Sequence, residues 1–183
     1  MISGSGRAGS TNTAVVRTAA ELAPPEVRPD TFDRLGELPL FNPDADLEGA
    51  AVDNRVTLLR RPVARADAVL ICTPEYAGAI PAALKNLLEW TIGDGGLYAK
   101  PVAWISAAGP AAPTGAADAH ASLRKVLQYA GADIIEQASV RIPVSQADLL
   151  TDGLIESVDR RREVAAAVER RAGLIGSGSG TKP

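Results

Sequence analysis

The sequence predicts an α/β domain in which five parallel strands, ordered 2-1-3-4-5, are covered by helices on both faces as a three-layer sandwich. Three observations carry this expectation. Strand-like and helix-like segments alternate five times along 183 residues without internal repeats, as parallel strands joined by helical crossovers require. Two segments, Ala68–Thr73 and Val102–Ser106, are almost continuously apolar, which suits strands buried on both faces. A glycine-rich loop follows the first strand directly and opens a helix, an arrangement that builds ligand sites in doubly wound sheets.

Met1 to Ser3 supply only a stub of the first strand. The topology puts that strand in mid-sheet, so it is read as truncated, and the loop behind it is expected to be poorly anchored. Ser10 or Thr11 can cap a helix running to about Ala23, because a side-chain oxygen accepts from the free N–H groups of a first turn. Val15, Val16, Ala19, Ala20 and Leu22 give that helix its apolar face, and Pro24 and Pro25 stop it. Val27 to Asp33 is the second strand, interrupted by Pro29. Leu35 to Asp46 is an irregular loop, and a helix follows from about Leu47 to Ala66, its last turn disturbed by Pro62.

Ala68–Thr73 is the third strand. Pro81 suits the first turn of the next helix, whose Ile80, Leu84, Leu87 and Leu88 share a face and which Gly93 to Gly96 end. Val102–Ser106 is the fourth strand, and Gly109–Gly115 is a Pro/Gly/Ala loop. Leu123, Val126 and Leu127 mark a helix ending near Gly131. Asp133 to Val140 is the fifth strand, and Ile155 to Leu174 is a charged amphipathic helix. One domain therefore spans residues 1–175, and the Gly/Ser tail of 176–183 is expected to be disordered.

Composition narrows the function classes. Apolar residues make up 46% of the chain, enough for a sizeable core. The net charge is −3 with dispersed Lys and Arg, so no basic stripe marks a nucleic-acid surface. No apolar run reaches the ~20 residues of a membrane span, and no secretory leader pattern opens the chain, so a cytoplasmic location is expected. Cys72 is the only cysteine and His120 the only histidine. Metal sites and triads built from several such residues are therefore excluded, and a bound cofactor is expected to carry any chemistry.

Two loops carry that chemistry. The first reads Gly4-Ser5-Gly6-Arg7-Ala8-Gly9-Ser10-Thr11-Asn12. It satisfies G-x-G-x-x-G and nearly satisfies the P-loop pattern, with Ser10 where the lysine would stand. Its glycines let the backbone approach an anion, and the helix N-terminus behind it presents N–H groups and a positive dipole end. Ser5, Ser10, Thr11 and Asn12 add neutral donors and Arg7 a positive charge, a set suited to a terminal phosphate dianion. The missing lysine argues against nucleoside triphosphate hydrolysis. The second loop, Thr73-Pro74-Glu75-Tyr76-Ala77-Gly78-Ala79-Ile80-Pro81, puts the aromatic Tyr76 beside the permissive Gly78, a seat for a flat ring. These loops follow strands 1 and 3, between which the order 2-1-3-4-5 reverses, and ligands bind at that reversal.

The residues resemble the flavodoxin-like NAD(P)H-dependent FMN reductase family, which includes quinone, azo and chromate reductases. Gly4, Ser5, Arg7, Ser10 and Asn12 fit the family's first loop. Thr73, Pro74, Glu75, Tyr76, Pro81, Leu84, Lys85, Asn86 and Trp90 fit its second, and Thr114-Gly115 through Leu123-Arg124 is similar to a third segment. The resemblance implies that Ser5, Arg7, Ser10, Thr11 and Asn12 hold the FMN phosphate. It implies that Pro74, Glu75, Tyr76 and Gly78 meet the isoalloxazine, largely through backbone, and that Ser106 and Gly109 border its other side. No side chain would act as acid, base or nucleophile. NAD(P)H would reduce the flavin, which would pass electrons to a quinone, free flavin or similar acceptor by a ping-pong scheme. A homodimer or homotetramer is implied. Ala77 departs from the family's asparagine, and Glu89 stands for its aspartate.

Three other readings compete. One is a non-enzymatic electron carrier of flavodoxin type. Another is a dinucleotide-binding domain with Asp30 or Asp33 on the ribose. The third is an inactive interaction protein of the same fold. Cys72 is read as a small core residue, His120 as a surface residue, Trp90 and Trp104 as core or interface packing, and Arg160 to Arg162 as a solvated helix face.

Overall fold

The computed structural model describes residues 1–47, 49, 51–109 and 112–177, with side chains through residue 170. Its elements in chain order are β1 (Ile2–Ser3), α1 (Thr11–Glu21), α2 (Asn54–Arg65), β2 (Val69–Thr73), α3 (Ala82–Trp90), β3 (Pro101–Ala108), α4 (Ala117–Tyr129), β4 (Asp133–Ile134), β5 (Val140–Pro143) and α5 (Val158–Ser177). All the strand pairings are parallel: β1 with β2, β2 with β3, and β3 with both β4 and β5.

The predicted order holds, with two differences. The expected second strand, Val27–Asp33, contributes only a parallel bridge between Phe32 and Ile2, because Pro29 supplies no N–H for a ladder. The expected fifth strand is divided. Asp133 and Ile134 pair with Pro101 and Val102, a 3₁₀ turn at Glu136–Ala138 interrupts the ladder, and Val140–Pro143 resumes it opposite Ile105–Ala108. The Ser139 hydroxyl donates to the Ile135 carbonyl across that turn at 3.0 Å, a local bond that competes with strand pairing.

Side chains on the two central strands alternate between two cores. Val69, Ile71, Val102 and Trp104 pack with α2, α3 and α4. Leu70, Cys72, Ala103, Ile105 and Ala107 pack with α1 and α5. Both Trp90 and Trp104 belong to the first core, and Cys72 is a fully buried member of the second. Burial pushes the Cys72 thiol pKa well up, which leaves it an inert thiol.

Helix α2 begins later than its apolar pattern suggests. Asp53 caps it, accepting from the Arg55 backbone N–H at 2.8 Å. The Arg55 side chain bonds the same carboxylate and, with that N–H, pulls its pKa to about 2. Pro62 lies inside α2 without ending it. Lys100 donates to the Ala64 and Ala66 carbonyls at the far end, satisfying acceptors that a helix terminus leaves free. The Arg run on α5 pairs as expected for a solvated face: Arg160 with Glu163, Arg161 with Glu21 of α1, and Arg162 with Asp159. Helix α5 continues through Ser177, past the point where the tail was expected to begin. Residues 178–183 lie outside the described ones. Among the described residues, no helix is long and apolar enough to cross a membrane.

Candidate active site

The register brings three chain segments to one rim. Ser3 lies opposite Cys72, and Thr73 opposite Ser106. Gly4 and Pro74 therefore leave the sheet near one another at the carboxyl ends of β1 and β2, beside Ser106, while β3 runs on to Ala108.

The first loop is firmly held, contrary to the expectation from its short strand. The Gly4 N–H donates to the Cys72 carbonyl at 2.6 Å, Ser3 N–H to Phe32 O, and Phe32 N–H to Met1 O. The Ser3 and Thr13 hydroxyls are 3.0 Å apart. A Cβ on Gly4 would lie 2.8 Å from the Cys72 carbonyl oxygen and 2.9 Å from Leu84 Cδ2, so only glycine fits. Gly9 takes a left-handed φ of 64°, and Ser10 then caps α1, its hydroxyl accepting from the Asn12 N–H at 3.2 Å. The first turn of α1 carries no acidic residue, although carboxylates are favoured at that position. The N-terminus is thus left electrostatically positive.

The predicted donors divide by placement. Ser5 and Ser10 are buried in the loop, Thr11 is half-buried, and Arg7 stands exposed at its tip. Asn12 turns inward instead. It is 2% exposed, and its Oδ1 accepts from the Cys72 thiol at 3.2 Å, a bond that ties α1 to β2.

The second loop is a tight hairpin. Tyr76 and Ala79 exchange both backbone hydrogen bonds, at 2.9 and 3.1 Å. The residues between them, Ala77 and Gly78, have φ of 51° and 71°, the type I′ pattern that favours Asn-Gly. The departure at Ala77 therefore acts on the backbone: an alanine sits in the left-handed region, where an L side chain costs about 1–2 kcal/mol. Ala77→Asn is expected to stabilise the protein by about 0.5–1 kcal/mol in urea unfolding, since asparagine tolerates that region better. An unchanged or lower midpoint would contradict this. Tyr76 presents its ring to solvent at 50% exposure.

Glu75 reaches out of the hairpin. Its Oε1 accepts from the Thr114 hydroxyl at 2.5 Å, and its Oε2 from the Asp118 and Ala119 N–H groups, each at 3.0 Å. It thereby caps α4, whose own N-cap, Ala116, has a left-handed φ and no capping side chain. The Thr114 hydroxyl above all, with these two N–H groups, lowers the Glu75 pKa. No local pattern announces this cap, because the partners lie 39 to 44 residues away in sequence.

Ser106 is 1% exposed at the end of β3. Gly109 lies with Gly115 and the edge residues Val140–Pro143 around an open groove of about 510 Å³. The Arg141 guanidinium borders that groove, donating to the Thr114 carbonyl at 3.5 Å. Gln146, beyond β5, donates to the Gly9 carbonyl of the first loop at 3.0 Å. Asn86 and Trp90 of the second motif serve structure: both donate to the Pro39 carbonyl, and Asn86 accepts from the Phe41 N–H. His120, read as a surface residue, is half-buried and bonded to Trp104 and Ser106. Asp30 lines a groove with Met1, Ala68 and Val69 at the amino ends of the strands, whereas the glycine-rich loop leaves β1 at its carboxyl end. Among the described residues, no group of three or more His, Cys, Asp or Glu side chains is arranged to hold a metal.

The chain is 30% identical to a 2-hydroxy-1,4-benzoquinone reductase of Burkholderia over 178 residues, covering 96% of this chain and 94% of that one. It is 32% identical to an NAD(P)H-dependent FMN reductase of Pseudomonas aeruginosa over 165 residues, covering 89% and 86% respectively. Its fold matches the flavoenzyme NAD(P)H:(acceptor) oxidoreductase FerB of Paracoccus denitrificans with a TM-score of 0.83, at 25% identity over 96% and 95% of the two chains. These names are those of enzymes. With residues 1–146 matching the family model for NADPH-dependent FMN reductase, the chain belongs to that family of flavin-dependent oxidoreductases.

Proposed function

We propose that the protein takes electrons from NAD(P)H through FMN and passes them to a quinone. In this reading the loop from Gly4 to Thr11 seats the FMN phosphate. The 74–79 hairpin and the end of β3 from Ser106 to Gly109 flank the isoalloxazine. One observation carries the assignment. The loop closes on a helix N-terminus with two buried hydroxyls, Ser5 and Ser10, an arginine at its tip and no carboxylate in the first helical turn. That donor set suits a dianion and not a cation.

FMN bound there supplies two-electron exchange with a nicotinamide on one side of the reaction and an acceptor on the other. The chain's own residues bind and orient. Ser5, Ser10, Thr11 and Arg7 donate to the phosphate, while Asn12 acts on the site by fixing α1 against Cys72. Glu75 keeps the hairpin against α4, so Pro74, Tyr76 and Gly78 present backbone and an exposed ring to the flavin. The quinone acceptor is supported by the quinone-reductase relatives at comparable identity. A cytoplasmic location and a homodimeric or homotetrameric state belong to the same proposal.

The test is a titration of apo-protein with FMN, followed by flavin fluorescence. Saturable quenching at micromolar FMN, not competed by NAD, is expected. Ser10→Ala should weaken binding by about tenfold, the worth of one charge-assisted hydrogen bond. Absence of quenching by the folded wild-type protein overturns the assignment.

A further inference from the structure

We propose that His120 is a positioning residue for the flavin site, holding Trp104, and with it the stretch of β3 that carries Ser106, in place only while its imidazole is neutral. The proposal rests on the flavin assignment of Ser106 made above. The Trp104 indole N–H donates to His120 Nδ1 at 2.9 Å, and the Ser106 Oγ is 3.3 Å from the same nitrogen. An indole nitrogen only donates, so Nδ1 must be the unprotonated nitrogen, and the Ser106 hydroxyl donates to it as well. Two buried donors therefore share one acceptor. Trp104 is 0% and Ser106 1% exposed, so water cannot substitute for that acceptor.

A proton on Nδ1 would set a donor against the Trp104 indole N–H, which can only donate, and orphan it, while the Ser106 hydroxyl would have to turn round and accept. The consequence would not stay local. Ser106 pairs with Thr73, the residue before the hairpin, and His120 lies one turn into α4, whose start Glu75 holds. Releasing His120 would loosen α4 from β3 where both border the proposed ring site.

The charged groups around the imidazole favour the neutral form. Arg124 of the same helix and Arg141 of β5 oppose a further positive charge. Glu136 of the 3₁₀ turn favours one, but it is itself paired with Arg124. Burial first, then the two arginines, lower the His120 pKa. The sign follows. As pH falls below the ordinary histidine value, the unfolded chain takes up this proton before the folded one does, so the contact is fully present near neutrality and weakens in acid.

The chain has one histidine, so a single imidazole signal reports on it. The experiment combines two measurements. Proton NMR of the apo-protein follows the imidazole and the Trp104 indole N–H from about pH 8 to about pH 5. FMN affinity is measured over the same range for wild type, His120→Asn and His120→Leu. Asparagine keeps an acceptor near the Nδ1 position but does not titrate. Comparing it with wild type also cancels the titration of the FMN phosphate, whose second pKa lies near ~6.

The indole signal should move with the imidazole titration. Wild type should lose about tenfold more affinity than His120→Asn over the range. His120→Leu should bind weakly at every pH. An affinity curve for His120→Asn that follows wild type, or an indole signal indifferent to the imidazole, overturns the proposal, even if the leucine variant fails to fold. Lack of FMN binding by wild type near neutral pH overturns instead the flavin assignment on which it rests, and the NMR coupling distinguishes the two failures.

Discussion

Gly4→Ala is expected to cost about 3 kcal/mol of folding stability, as overpacking against immovable neighbours does, and to abolish FMN binding. The new methyl would lie 2.8 Å from the Cys72 carbonyl oxygen and 3.3 Å from Thr73 Cα. Both are atoms of the central strand and cannot swing aside as a flexible side chain would. The Gly4 N–H bond to Cys72, at 2.6 Å, would have to lengthen, and it is the first anchor of the loop. Urea unfolding and flavin titration read the two effects. Gly6→Ala is the matched control, because a Cβ there meets nothing within 4 Å. Comparable destabilisation by the two variants would show that the clash is relieved cheaply.

Glu75→Gln should destabilise the protein by about 2 kcal/mol. The amide can replace some of the three hydrogen bonds but not their charge. Each bond to a charged group is worth about 1.5–3 kcal/mol when buried and less at a half-exposed site such as this. Chemical denaturation near neutral pH measures the loss. The pH dependence identifies its source. The folded-state pKa of Glu75 is lowered, so its contribution is full above the ordinary glutamate range and disappears as pH falls through the lowered value. Wild type and Glu75→Gln should therefore converge in stability in acid. A gap that persisted there would assign the loss to packing. Because the same carboxylate joins the hairpin to the start of α4, the variant should also bind FMN more weakly.

Much of the fold was legible because burial writes itself locally. The runs Ala68–Thr73 and Val102–Ser106 are apolar at all but their last position because helices cover both faces of the sheet. The Gly/Ser loop before α1 was legible for a similar reason, since a left-handed turn and a helix cap each demand particular residues at neighbouring positions. The elements misread were those with weak local signals. The second strand shrank to the Phe32 bridge. The fifth divided where a side-chain hydrogen bond outcompeted the ladder.

Inside the site the same boundary appears. The residue types that suit a phosphate follow from the sequence, and so does the reversal of strand order that gathers the two loops. The tertiary structure decided which side chains face outward: Asn12, a donor by its position in the loop, points into the core to meet a thiol 60 residues away. It alone gave Glu75 its helix to cap and His120 its two donors, because these bonds join segments that only the folded sheet brings together. Local geometry is encoded by neighbouring residues, whereas the partner of a reaching side chain is set by register and packing across the whole chain, and the sequence carries no short-range trace of it.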